Sequence, residues 1–127
     1  MDPSDEDNEA IRLASLHGHS SVVKLLLENP KVDPSDEDNQ AIRSASINGD
    51  TLIVKLLLKD LRVDPSDEDN QAIILASRNG HIDVVKLLLN DSRVNPSARN
   101  NEAIRLASKN GHTEIVKLLL KHPNIKY

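Results

Sequence analysis

Residues Asn70–Leu89, NQAIILASRNGHIDVVKLLL, establish the architecture of the chain, because a similar segment occurs three more times. Its turn glycine, Gly80, has counterparts at intervals of 31 residues, at Gly18, Gly49 and Gly111. A fixed period of this length is typical of a solenoid, in which similar supersecondary units stack on one another. Four periods of 31 residues make 124 of the 127 residues, so we expect a single repeat domain over 1–127. Its repeats are expected at about 1–31, 32–62, 63–93 and 94–127.

Each unit has the pattern of two short helices. Within residues 72–79 the apolar residues recur at i, i+1, i+3 and i+4, which places them on one face of a helix. Gly80 is expected to end this helix in the left-handed conformation. Residues 82–89 then form a second helix that is apolar around most of its circumference and must be buried on more than one side. Helices this short are marginal in isolation, so each unit depends on its neighbours.

A polar segment, VDPSDEDN, separates the units at residues 32–39 and 63–70. The proline in each copy fixes φ and removes a backbone donor, and the Asp, Ser and Asn residues favour turns. Asn39 and Asn70, or the aspartate before each of them, are predicted to cap the helix that follows. We therefore expect an extended, hairpin-like loop between units. These segments, together with 94–101, are called the linkers below.

The helices resemble those of ankyrin repeats. The sequences GHIDVVKLLL (residues 80–89) and GHTEIVKLLL (residues 111–120) are similar to the second helix of that family, and AIRLAS (residues 10–15 and 103–108) lies where its first helix begins. The resemblance covers the whole chain, with four matches in fixed register. It implies an all-α, right-handed ankyrin-type solenoid of four helix-turn-helix repeats.

The chain departs from the family pattern in two ways. The usual Thr-Pro-Leu-His opening is replaced by Glu/Gln-Ala-Ile-Arg, as in residues 40–43, and the period is two residues shorter than the common 33. We expect arginines to supply the polar bracing that the Thr and His give elsewhere, namely Arg12, Arg43 and Arg105. Ile74 interrupts that column.

Composition and charge exclude several classes of function. The chain is 38% apolar and 28% charged with a net charge of −4, as for a globular domain, and it has no Cys for disulfides. It has no apolar run long enough for a membrane span and no signal-peptide pattern, so we expect a cytoplasmic or nuclear protein without membrane contact. Acidic linkers and only one aromatic residue argue against nucleic-acid binding.

No pattern of catalytic or metal-binding residues is present. His19, His81 and His112 fall in separate repeats, and we interpret them as structural residues that bond a neighbouring unit. No Ser, His and Asp occur at nucleophile–base spacings, and there is no phosphate-binding loop, so we expect no enzyme and no cofactor. The linker acids match a calcium loop only in part. Their simpler role is to complement helix dipoles, so we expect no metal.

We therefore predict a non-enzymatic scaffold that binds a protein or peptide partner. In ankyrin repeats the partner lies across the loop tips and the concave face lined by the first helices. Mapped onto this sequence, that surface comprises Asp36, Glu37, Asp38, Arg43, Ile47, Asn48, Asp67, Glu68, Asp69, Ile74, Arg78 and Asn79. The alternative is a structural or self-associating array, designed or excised, without a specific ligand.

The linker carboxylates suggest the chemistry of the partner. Twelve of the 20 acids lie near the N-terminus, within residues 2–7, and in the linkers 32–39 and 63–70. We call these twelve acids the acidic ridge. They are Asp2, Asp5, Glu6, Asp7, Asp33, Asp36, Glu37, Asp38, Asp64, Asp67, Glu68 and Asp69. Stacking would space equivalent acids about 10 Å apart, near the Debye length, and the ridge would suit a basic partner.

The first repeat is expected to leave apolar surface exposed. No separate polar repeat precedes it, and Ile11, Leu16 and Val22 would lie on its outer side. Exposed apolar patches favour association. We therefore expect either a monomer or a weak end-to-end dimer.

Overall fold

The computed structural model describes residues 3–125, which form eight α-helices. Each of the four units contributes two of them, joined by a turn at a glycine with φ between 73° and 82°. The helices are α1 (Pro3–Leu16), α2 (Ser20–Leu27), α3 (Asp36–Asn48), α4 (Thr51–Leu58), α5 (Asp67–Asn79), α6 (Ile82–Leu89), α7 (Ala98–Lys109) and α8 (Thr113–Leu120). No residue between 3 and 125 lies in a β-strand.

The helices stack in two layers. The first helix of each unit packs on the first helix of the next, from α1 through α3 and α5 to α7, and the second helices α2, α4, α6 and α8 pack likewise. This is the all-α solenoid that the 31-residue period predicts. No helix in the described part of the chain combines the length and apolarity needed to cross a membrane.

The core repeats with the sequence. Leu57, Leu88 and Leu119, one from each of the last three second helices, are fully buried. On the first helices, Ala41, Ala72 and Ala103 are also fully buried, and their small side chains let neighbouring helices approach closely. Burial between units therefore supplies the stability that one short helix pair lacks.

The linkers differ from the predicted extended loops. Helices α3, α5 and α7 each begin inside a linker, and each passes through three consecutive residues in the left-handed region. In α3 these are Glu37, Asp38 and Asn39, with φ of 54°, 55° and 60°. The segment is thus a compact left-handed turn, and the regular right-handed helix follows it at Gln40.

This turn overrides local sequence preference. The hexapeptide PSDEDN occurs at residues 3–8, 34–39 and 65–70. In the second and third copies its last three residues are left-handed, whereas no residue of α1, which contains the first copy, has a positive φ. Asn8 and Asn39 bond the backbone N–H of Asp33 and Asp64, which fixes the start of the second and third copies. The same hexapeptide therefore adopts two different conformations within one chain.

The prediction that Asn39 and Asn70 cap the helices that follow them is wrong. Asn39 and Asn70 have left-handed backbone, and their side-chain oxygens accept from the next linker instead of capping their own helix. Neither Ser35 nor Ser66, at the start of α3 and α5, makes a capping bond through its side chain.

The outer side of the first unit is partly apolar. Leu16 and Val22 are 42% and 45% exposed, and Leu25 is 68% exposed. The expectation for Ile11 is wrong, because its side chain is fully buried in the core. It occupies the register position of the buried Ile42, and so faces inward.

Candidate partner-binding surface

The acids of consecutive linkers approach each other closely. Glu37, Asp38, Glu68 and Asp69 are exposed, and Asp67 is half-buried. Carboxylate oxygens of Asp38, Asp67 and Glu68, which occupy non-equivalent positions, lie within 4.8 Å of one another. This grouping concentrates negative charge where the linkers 32–39 and 63–70 meet. Exposed acidic groups are common without a metal, so the geometry alone identifies none.

Among the remaining members of the acidic ridge, Glu6 is exposed and Asp7 is half-buried, and three others have structural roles. The half-buried Asp36 pairs with Arg12 at 3.4 Å. Asp33 and Asp64 accept from the serine two residues later and shape the linker turn. Asp2 and the side chain of Asp5 lie outside the described residues.

Asparagines tie each linker to the next. The side-chain oxygen of one asparagine per unit accepts from the backbone N–H found 25 residues later, at 2.7–2.8 Å. The pairs are Asn8–Asp33, Asn39–Asp64 and Asn70–Asn95. The Asn39 amide also donates to Asp67 at 2.8 Å. We call this series the asparagine ladder; it fixes the spacing of the linkers and hence of their carboxylates.

Arginines brace the left-handed turns, as predicted for Arg43 and Arg105. Arg43 donates through Nε to the carbonyl of Asp38 at 2.9 Å and through Nη2 to that of Glu37 at 3.1 Å. Its Nη1 also donates to Gln71 Oε1 of the next unit, at 2.7 Å. Arg105 makes the same pair of backbone contacts with its own linker, at 2.9 and 3.0 Å. A guanidinium thus bridges two carbonyls in both turns.

Ile74 occupies the equivalent position in the third repeat and cannot donate. Its side chain is 4% exposed, so this residue offers a partner almost no accessible surface, contrary to its place in the predicted site. Beside it lies a cleft of about 220 Å³ between α5 and α7. The lining residues are Glu68, Gln71, Ile74, Leu75, Arg99 and Glu102.

The polar residues at the ends of the first helices bind the preceding repeat. Asn48 donates to the Leu16 carbonyl at 2.8 Å, and Asn79 donates to the Ile47 carbonyl at 3.1 Å. Both amides are exposed, and Ile47 is half-buried. The exposed Arg78 donates only to the neighbouring Asn79 among the described residues, at 3.0 Å. These residues lie at the C-terminal ends of α3 and α5, whereas the acids of the ridge lie at the N-terminal starts of the same helices.

Of the three histidines interpreted as structural, His81 and His112 contact the preceding repeat, whereas His19 is exposed and makes no side-chain hydrogen bond among the described residues. His81 Nε2 lies 3.0 Å from the Ile47 carbonyl, and His112 Nε2 lies 3.0 Å from the Arg78 carbonyl. In the second repeat Asp50 takes this position and instead caps α4 by accepting from Ile53 N–H at 3.1 Å.

Sequence reasoning missed two aspartate–arginine pairs at the ends of α4 and α6. Arg62 and Arg93 donate side-chain hydrogen bonds that hold the pKa of Asp60 and of Asp91, respectively, below the usual value, although burial opposes the shift. Arg62 also reaches the Val32 carbonyl of the preceding unit at 2.7 Å. The signal was the Asp-x-Arg pattern repeated after 31 residues.

Comparison with known proteins places this architecture in a family. A family model described as ankyrin repeats (3 copies) matches residues 41–127, and the chain belongs to the ankyrin-repeat family. The chain is also similar to one in the crystal structure of the yeast ribosomal protein Rps3 in complex with its chaperone Yar1. The identity is 26%, the TM-score is 0.74 and the match covers 96% of each chain. A search of curated proteins found no match.

Membership of this family defines the class of protein. Ankyrin repeats are in general non-enzymatic units that bind other proteins, and the neighbouring structure is itself a complex between a chaperone and its protein partner. The chain is thus an all-α repeat protein of a protein-binding class.

Proposed function

We propose that this chain is a non-enzymatic scaffold that binds a basic protein or peptide across its acidic ridge and first-helix face. The observation that carries the proposal is the approach of Asp38, Asp67 and Glu68 to within 4.8 Å. In this proposal residues 1–127 act as one domain in the cytoplasm or nucleus. The similarity to a chain in a chaperone–ribosomal protein complex supports that setting.

The distribution of charge supports a cationic partner. Residues 1–93 carry 18 acids and 10 bases, a net charge of −8, whereas residues 94–127 carry 2 acids and 6 bases, a net charge of +4. A basic segment would therefore be steered to the first three repeats and orient along the ridge. Part of the repulsion among the grouped carboxylates would be relieved on binding.

The affinity should depend on salt. The ridge contains no aromatic residue to act as a buried anchor, and its interactions are mainly between exposed charges. Screening by salt therefore removes much of the attraction. We expect association to be fast at low ionic strength and to weaken steeply as ionic strength rises.

The test is a charge reversal on the ridge with a matched control elsewhere. The double variant Glu37→Lys/Glu68→Lys should lose binding to acetylated pentalysine, measured by titration calorimetry at low and at high salt. The control Glu28→Lys/Glu114→Lys makes the same change in net charge at two exposed positions, the C-cap of α2 and the first turn of α8. Equal losses in both variants would mean that net charge acts without any specific ridge.

A second candidate function is self-association through the first repeat. The observation that favours it is the exposed apolar patch formed by Leu13, Leu16, Val22 and Leu25 on α1 and α2. Sedimentation velocity over a range of concentrations should then show a dimer, and Val22→Glu should abolish it. Leu61→Glu is the control, since Leu61 is 91% exposed in a different part of the chain. A strict monomer at high concentration would exclude this function.

A further inference from the structure

We propose that the cleft beside Ile74 receives the guanidinium of an arginine side chain from the partner. The inference rests on the proposed function and adds the chemistry by which the partner is recognised. It begins from an irregularity in an otherwise regular chain: the second and fourth repeats place an arginine under the left-handed turn, and the third repeat places an isoleucine there.

The two complete repeats show which ligand this turn accepts. Arg43 bonds the carbonyls of Glu37 and Asp38, and Arg105 bonds those of Arg99 and Asn100. In the third repeat the turn has the same left-handed geometry, with φ of 56° and 57° at Glu68 and Asp69. Within residues 6–125 no side chain donates to these two carbonyls. Both carbonyls therefore lack the side-chain donor that Arg43 and Arg105 supply in their own repeats, and Glu68, though not Asp69, lines the cleft.

The cleft adds a charged acceptor to that pair. Arg43 makes its third bond to Gln71, and the position 31 residues later, which faces the site beside Ile74, is Glu102. The lining thus carries two carboxylates, Glu68 and Glu102, and one cation, Arg99, for a net charge of −1. Arg99 is already paired with Glu102 at 3.1 Å, and a carboxylate has lone pairs for a second donor.

A guanidinium fits this arrangement better than an ammonium does. Two carbonyls and a carboxylate oxygen match the planar fork of several N–H donors that arginine presents, as Arg43 shows in the same chain. The ammonium of lysine is a compact, strongly hydrated charge that would not bridge the three acceptors in one plane. The half-buried Leu75 in the lining can cover part of the arginine methylenes.

The experiment compares two peptides of equal charge. Acetyl-Lys-Lys-Arg-Lys-Lys-amide and acetyl-pentalysine-amide both interact with the acidic ridge, and they differ only in the guanidinium. We expect the arginine peptide to bind the wild-type protein about tenfold more tightly, as one set of charge-assisted hydrogen bonds would give. Amide shifts of residues 68–75 in NMR spectra should respond to the arginine peptide and much less to pentalysine.

Two variants locate the effect. Ile74→Arg restores the internal donor and should abolish the preference for the arginine peptide, whereas Ile74→Leu should retain it. The preference is a ratio of two affinities, so the added charge of the arginine variant largely cancels. Should Ile74→Arg fail to fold, Glu102→Gln tests the same point and should reduce the ratio.

The outcomes separate the two proposals. If neither peptide binds, the proposed function and the arginine site both fail. If both peptides bind the wild-type protein equally, the acidic scaffold stands and the arginine site is refuted. A preference that persists unchanged in Ile74→Arg, or in Glu102→Gln, would also refute it, because the cleft would then have no part in the selection.

Discussion

The left-handed turns predict opposite effects for one substitution at two sites of identical local sequence. Glu6 and Glu37 occupy the same position in the hexapeptide PSDEDN, and both side chains are exposed. Glu6 lies within the right-handed helix α1, whereas Glu37 has φ 54° and ψ 55°. Replacing each by glycine removes the same charge and the same side chain. Any difference in the free energy of unfolding therefore reports on the backbone.

The magnitudes follow from the conformations. An L-residue in the left-handed region costs about 1–2 kcal/mol, and glycine avoids this cost. Glycine also gains about 0.4–1 kcal/mol of unfolded-state entropy relative to alanine, which offsets part of the gain. Glu37→Gly should therefore stabilise the protein by about 0.5–1 kcal/mol. Glu6→Gly should destabilise it by about 0.8–1 kcal/mol, the usual effect of glycine inside a helix.

Urea unfolding followed by far-ultraviolet circular dichroism measures both values, because the chain has no Trp and its single Tyr127 lies outside the described residues. Glu68→Gly serves as an internal repeat of the Glu37 experiment, since Glu68 has φ 56°. If Glu37→Gly destabilised the protein as much as Glu6→Gly, the strained turn would not exist in solution and the reasoning would be refuted.

Three further predictions use the same unfolding assay. Leu88→Ala should lower the free energy of unfolding by about 2–5 kcal/mol, because the Leu88 side chain is fully buried. Leu26→Ala should lower it by less, because Leu26 is half-buried, and the reverse order would contradict the assigned core. Asn39→Ala should lower the free energy of unfolding by about 2–4 kcal/mol, because it leaves the Asp64 N–H unpaired and places alanine at φ 60°. A loss below about 1 kcal/mol would show that the bond between Asn39 and Asp64 contributes little to stability. The pKa of Asp60 and of Asp91 is lowered in the folded state by their hydrogen bonds to Arg62 and Arg93. Their ion pairs therefore stabilise the folded state at a pH above about 4, the usual pKa of an unfolded aspartate, and this stabilisation is lost as the pH falls further. Wild-type protein should therefore lose more stability between pH 7 and about 3 than the Asp60→Asn/Asp91→Asn variant, and equal losses would argue against the pairs.

The helical repeats could be predicted because their signals are local and recur. The second helix of the third repeat was expected at residues 82–89, and α6 has those bounds. A glycine turn before the helix and a run of three leucines at its end define it without reference to other units. The stacking of units could also be predicted, because this helix is apolar around most of its circumference and must therefore contact more than one neighbouring helix.

The linkers could not be predicted from local sequence. Because PSDEDN is right-handed at residues 3–8 and left-handed in its last three residues at 34–39, no rule based on propensity can give both conformations. The hydrogen bond from the Asp33 N–H to Asn8, which holds the start of the second copy, joins residues 25 positions apart and leaves no local pattern in the sequence. The cleft was missed for a similar reason: the sequence shows that Ile74 interrupts the arginine column, but only the structure shows which carbonyls the arginines bond.

The asparagine ladder gives protein synthesis a defined order of events. Asn39 can complete its hydrogen bond only after Asp64 has been added to the chain, and Asn70 must wait in the same way for Asn95. At about 5–20 residues per second, translation of those 25 residues takes roughly 1–5 s. Each bond of the ladder can therefore form only after the following linker has been synthesised, so the contact between two repeats is completed later than the first of them is made.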